Sequence, residues 1–163
     1  RAVLFFLLKK WSDKPKAKTA QRVLYYMMQA AMQDENMQRK GIVVIQYLMG
    51  KTMNNGVSFK TLKSAFQTRL CVPHRLDAMH ICFDKKGLRP FISGFRFFLD
   101  KRGRTRSRVH FGDEQNILFK LQTYGIPVSD DSPFRQVNGE FPLAPHQEWL
   151  QNRQAQEMKV AGT

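Results

Sequence analysis

Four side chains able to bind a metal, Cys71, His74, His80 and Cys82, fall within twelve residues of one another. Cys-x-x-His followed by His-x-Cys contains the ligand types that structural zinc sites use, but the spacing matches no standard site. His80 and Cys82 also sit in an apolar, strand-like run. Buried thiols and a hydrogen-bonded core histidine are the expectation, with no metal. Gly50-Lys51-Thr52 follows another apolar run and has the form of the end of a phosphate-binding loop. The full motif needs a glycine five positions before Gly50, and Ile45 stands there, which excludes nucleotide hydrolysis. No Ser-His-Asp order, paired carboxylates or nucleophile elbow stands out. The expectation is a protein that is not an enzyme and carries no cofactor.

Two further chemistries meet in Leu88 to Gly112. Leu88, Phe91, Ile92, Phe95, Phe98 and Leu99 recur at steps of three and four, which places them on one face of a helix. Arg89, Ser93, Arg96 and Asp100 fall opposite. Arg104, Arg106 and Arg108 then alternate with Thr105, Ser107 and Val109, so a strand here projects three guanidiniums from one face. Burying each large apolar side chain is worth roughly 1.5–3 kcal/mol. The oily face therefore covers a core or an apolar ligand, or lies on a membrane.

The charge balance points to an anionic partner. Lys and Arg number 27 against 13 Asp and Glu, a formal net charge of +14. Nucleic acid, an anionic ligand or a membrane surface fits such an excess. With 163 residues, 42% of them hydrophobic, the chain can bury a real core. Two cysteines imply no disulfide framework and favour a reducing compartment. The longest apolar run, Ala2 to Leu8, is too short to span a bilayer and lacks the marks of a signal peptide. The chain begins with Arg1, so a piece of a longer protein is expected.

The elements that must position these residues follow one another in alternation. Ala2–Leu8 reads as a buried strand, and Lys9–Lys18 as a polar loop. Thr19 to about Gln38 reads as one uninterrupted helix, rich in methionine. Ile42–Leu48 is a second strand, β-branched in the manner of a strand covered on both faces. Asn54-Asn55-Gly56 marks a loop, and Ser58–Leu70 a helix capped by Ser58. Arg75–Phe83 is a third strand. The oily helix, the arginine strand and a helix over Asp113–Thr123 follow, with Ile117, Leu118 and Leu121 inward. The segment to Pro145 is irregular, and His146–Val160 reads as a polar tail helix. The order β-α-β-α-β-α-β-α argues for an α/β fold on a mainly parallel sheet with right-handed crossovers.

Taken together, Gly41-Ile-Val-Val-Ile-Gln-Tyr-Leu-Met-Gly50, Val72-Pro73-His-Arg75-Leu-Asp-Ala-Met-His80-Ile81, the oily helix and Arg106-Ser-Arg-Val-His110-Phe-Gly112 resemble the CRAL-TRIO lipid-binding domain. Tyr124-Gly-Ile-Pro127 is similar to its closing segment. The resemblance spans roughly Arg1 to Gly139. Asp77, Phe111 between His110 and Gly112, and Ser132-Pro133 depart from the family pattern and mark a divergent member. The helical N-terminal subdomain usual in the family is absent from this fragment.

The resemblance implies residues 1–145 as a lipid-binding domain, with 146–163 as a polar tail. It implies a sheet floor flanked by helices, enclosing an apolar cavity under a gate helix, Leu88–Leu99. Phe91, Ile92, Phe95, Phe98, Leu99 and Met79 would face a lipophilic small molecule or phospholipid. Arg75 and Arg106 match headgroup-recognising positions, and Arg108 joins them toward an anionic membrane, such as one bearing phosphoinositide. The implied role is to present or transfer a lipid at such membranes, from the cytoplasm, as a peripheral membrane protein. The alternative from the residues alone is a basic nucleic-acid-binding module, although no helix-turn-helix, zinc-finger or RNP signature appears. A scaffold that kept the fold and lost its ligand is the third option.

Overall fold

A computed structural model describes residues 2–7, 17–33, 35–50, 75–128 and 143–161 of the chain. The helix expected over Ser58–Leu70, the loop at Asn54–Gly56, Lys51, Thr52, Cys71, His74 and Ser132-Pro133 lie outside those residues. The chain divides into two compact units, residues 1–124 and 125–163.

Among the described residues, the first unit is built on a four-stranded sheet. Strands β1 (Ala2–Leu7), β2 (Ile42–Tyr47), β3 (Leu76–Phe83) and β4 (Ser107–Phe111) lie side by side in chain order. Every neighbouring pair is parallel. The α/β expectation is met. Val43, Val44 and Ile45 in β2 are buried on both faces, as a run of β-branched residues in an inner parallel strand requires. Leu4 pairs with Val44, Val44 with Met79, and Ile81 with Val109. Ile42 is partnered by Leu76 but Val43 by Ala78, so Asp77 is an extra residue bulged out of β3.

Helices flank this sheet. α1 (Ala17–Ala31) and the short α2 (Glu35–Lys40) connect β1 to β2. A 3-10 turn (Lys86–Leu88), α3 (Arg89–Phe97) and α4 (Lys101–Arg106) connect β3 to β4, and α5 (Glu114–Thr123) follows β4. The described parts of the β1–β2 and β3–β4 connections pack on one face of the sheet. There, Phe91, Ile92, Phe95 and Leu99 meet Val44, Met79, Ile81 and Phe83, with Ala31 and Met32 packed alongside. α5 follows the last strand and reaches the other face. Tyr47 Oη, on that face, donates to Glu114 Oε1 at 2.8 Å, and Tyr124, just after α5, meets the rings of His80 and His110.

The single helix expected over Thr19–Gln38 is two. Its first part closes at Met32 and Gln33, where Met32 N donates to both Met28 O and Gln29 O. The side chain of Gln38 then donates to Met32 O at 2.7 Å. Glu35 in the first turn of α2, with Arg39 and Lys40 in its last, complements a separate helix dipole. Gly41 ends α2 at φ +81°, and a Cβ there would lie 2.7 Å from Arg75 O. Both the conformation and the close approach require glycine.

The arginine strand expected at Arg104–Val109 is corrected. Lys101–Arg106 is helical, and β4 begins only at Ser107. Asp100 decides this: it is extended, and its Oδ1 accepts Gly103 N at 3.0 Å as an N-cap. Arg104 N closes the first turn on Asp100 O. Three alternating arginines make a weak strand signal beside a cap. Arg104 and Arg106 therefore lie about 200° apart around a helix, not on one strand face.

In the second unit, the expected tail helix is α6 (Leu143–Ala161), longer at its start than the sequence suggests. It carries an i,i+4 pair, Arg153 Nε to Glu157 Oε1 at 3.0 Å.

Candidate functional site

α3 owes its place to its ends as well as its apolar face. Pro90 stands in the first turn, where its missing N–H costs nothing. The Arg89 guanidinium lies 4.2 Å from the centre of the Phe111 ring, tying the start of the helix to the end of β4. The last turn tightens, with Phe98 N bonded to Phe95 O and Leu99 N to Arg96 O. The Asp100 cap then begins α4.

Five of the six residues expected to face a lipid are brought together. Phe91, Ile92, Phe95 and Leu99 from the α3 segment and Met79 from β3 are buried in one apolar cluster with the sheet. Ser107 Oγ sits at its β4 side, donating to Gly103 O at 2.8 Å and lying 3.9 Å from Met79 Sδ. Phe98 does not join them. It is the C-cap residue, one position beyond the helix, and is 45% exposed, while Leu99 after it turns back into the cluster. Phe97 is 81% exposed.

The cations expected at a headgroup divide between two places. Arg75 immediately precedes β3, and Arg106 immediately precedes β4. Because the strands are parallel, both stand at the amino-terminal edge of the sheet. Arg75 is exposed, while Arg106 is partly buried and its Nη1 donates to Leu76 O. Arg108 lies within β4, paired in register with His80, and its Nη1 donates to Thr105 O at 2.8 Å.

A second polar feature lies on the opposite face. His80 Nδ1 and His110 Nε2 are 2.9 Å apart, with rings stacked at 7° and centroids 5.1 Å apart. Tyr124 meets both edge-on, at 4.9 and 5.7 Å. Burial, then the positive charges that His110 and Arg108 can present, lowers the pKa of His80 to about 4. Burial, then Lys120 and Arg108, lowers that of His110. Burial also raises the Cys82 thiol to about 12, so it is an unreactive core group. Among the described residues, no three His, Cys, Asp or Glu side chains are grouped to hold a metal. His80 is in the core, as its apolar surroundings in the sequence suggest, but nothing in the sequence marks His110 as its partner. Only the β3–β4 register reveals that pairing.

The sequence itself settles the family. The model of the divergent CRAL/TRIO domain matches residues 1–129. The chain belongs to that family. Comparisons with curated proteins and with solved structures give no match. CRAL/TRIO domains are generally ligand-binding and transfer proteins, and membership suggests a lipophilic ligand here. In this divergent CRAL/TRIO domain, no helix among the described residues is long and apolar enough to cross a membrane.

Proposed function

We propose that this domain binds a lipophilic small molecule or phospholipid between α3 and the sheet, and presents or transfers it at anionic membranes. The observation that carries the reading is the buried cluster of Phe91, Ile92, Phe95, Leu99 and Met79, drawn from one short helix and the strand beneath it. A lipid chain entering there replaces protein–protein contacts with contacts of the same apolar kind. Exposing four such side chains of the α3 segment to water would cost about 6–12 kcal/mol, as an upper bound. Opening is therefore rare in bulk water and favoured where a bilayer supplies the alternative burial.

Arg75 and Arg106, together at the amino-terminal edge of the sheet, are the groups we assign to an anionic headgroup. The Arg106 guanidinium keeps further N–H donors beside the one given to Leu76 O. The chemistry is recognition and carriage, without catalysis or cofactor, from the cytoplasmic side.

The test is organic extraction of the purified protein followed by mass spectrometry. A lipid at a stoichiometry near one, lost in Phe95→Asp, is the expected result. Protein that stays empty and takes up no lipid from vesicles would overturn the reading. Binding to RNA or DNA that falls steeply with salt and ignores Phe95→Asp would favour the nucleic-acid alternative instead.

A further inference from the structure

The outer side of the same helix carries a second chemistry. Phe97 and Phe98 are exposed at the end of α3, at 81% and 45%. Around the corner made by Leu99 and Asp100, the side chains of Lys101, Arg102 and Arg104 on α4 are exposed, as is Arg96 before them. The stretch 96–104 thus holds four cations and one acid. That acid, Asp100, accepts the Gly103 N–H at Oδ1 as a helix cap. Among the described residues, none of the four cations forms an ion pair. Arg106 and Arg108 differ, since both guanidiniums donate to backbone carbonyls.

We infer that the α3–α4 corner is the surface by which this domain docks on an anionic bilayer. Phe97, with Phe98 beside it, enters the interfacial layer, and Lys101, Arg102 and Arg104 lie among the headgroups. Apolar aromatics flanked by cations are what an anionic lipid interface receives, since each side chain finds its own layer. The aromatics stand at a helix end rather than on a strand platform, the usual place for stacking bases. This inference rests on the proposed lipid site in one respect: it gives the two sides of α3 separate tasks. The inner side covers the ligand and the outer side meets the membrane. Docking therefore precedes opening and proceeds with the inner face still buried.

The experiment is co-sedimentation of the full chain with phosphatidylcholine vesicles, with and without phosphatidylserine. Binding is expected only with phosphatidylserine. Each of Lys101→Ala, Arg102→Ala and Arg104→Ala should weaken it about fivefold, and Phe97→Ala about tenfold or more. Phe119, 67% exposed on α5, is the control, and Phe119→Ala should bind as the parent does. Phe97→Trp should add fluorescence that brominated lipid quenches, beyond any quenching of the parent chain, and Phe119→Trp should not.

Vesicle binding indifferent to Phe97 and the three cations, equal quenching at both positions, or no vesicle binding would each overturn the inference. So would loss of binding in Phe97→Ala matched by an equal loss in Phe119→Ala. The lipid reading stands or falls separately. Phe97→Ala should retain extractable lipid in full, and an empty parent that still docks through Phe97 would sink the lipid site while leaving the docking surface.

Discussion

His80 Nδ1 and His110 Nε2 share one hydrogen bond of 2.9 Å between adjacent parallel strands, under the edge of Tyr124. The bond needs one donor and one acceptor, so at least one ring must be neutral. Both pKa values are lowered by burial and by neighbouring positive charge, that of His80 to about 4. In the unfolded chain both return to about 6.5. Between those values the unfolded state binds more protons than the folded one. Stability is thus fully present above pH ~6.5 and falls as the pH drops toward ~4, with His80 contributing up to about 3 kcal/mol.

Urea melts at pH 7 and pH 4.5 check this. The midpoint should fall markedly at the lower pH, and His80→Phe should flatten the difference. A pH slope unchanged in that variant would show that the pair is not its source.

Phe95 and Phe97 are two positions apart and should respond in opposite ways. Phe95 is 1% exposed in the cluster beneath α3, and Phe95→Ala should cost about 3–5 kcal/mol in denaturant unfolding. Phe97→Ala should stay within about 0.5 kcal/mol of the parent. Equal effects would mean that the helix is rotated from the orientation described.

Gly41→Ala should be among the most damaging small substitutions. The residue has φ +81°, and the added Cβ would meet Arg75 O, a backbone atom between β2 and β3 that cannot step aside. The left-handed conformation alone costs about 1–2 kcal/mol for a residue with a side chain. Thermal melting should show a loss of at least that size. A neutral result would contradict the close approach of the two strands.

Asp100→Ala removes the cap of α4 and should destabilise by about 1 kcal/mol, while Asp100→Asn, which can still accept from Gly103 N, should lose less. Chemical denaturation of the three proteins orders them directly. Identical midpoints for the Ala and Asn variants would mean the side-chain bond contributes nothing.

Three strands of the sheet were legible because β1, β2 and β3 are short apolar runs bounded by polar or glycine residues, and because strands and helices alternate. β2 and β3 fell within a residue or two of their expected limits, and the oily helix was read from its spacing. Misreadings arose where a local hydrogen bond competed with a pattern. Asp100 capped a helix through residues whose alternation suggested a strand. The turn at Met32 and Gln33 divided a helix that no Gly or Pro interrupts. Phe98, the C-cap residue of α3, is half-exposed although Leu99 after it is buried, a difference that spacing alone does not separate. The His80–His110 pair depends on the register between strands joined by a long crossover, and local periodicity carries no information about that.

The location of α3 within a single crossover has a kinetic consequence. Its two ends are fastened to neighbouring strands, by Arg89 over Phe111 on one side and the Asp100-capped α4 on the other. The hydrogen bonds between β3 and β4 run beneath it without its help, from Met79 and Ser107 to Phe83 and Phe111. On the proposed lipid-carrying role, the segment would lift as a flap while the ladder below stays zipped, a local opening rather than a global one. Amide protons of α3 should then exchange with solvent ahead of those in β2 and β3, and the gap between the two rates measures how far the flap moves independently of the floor.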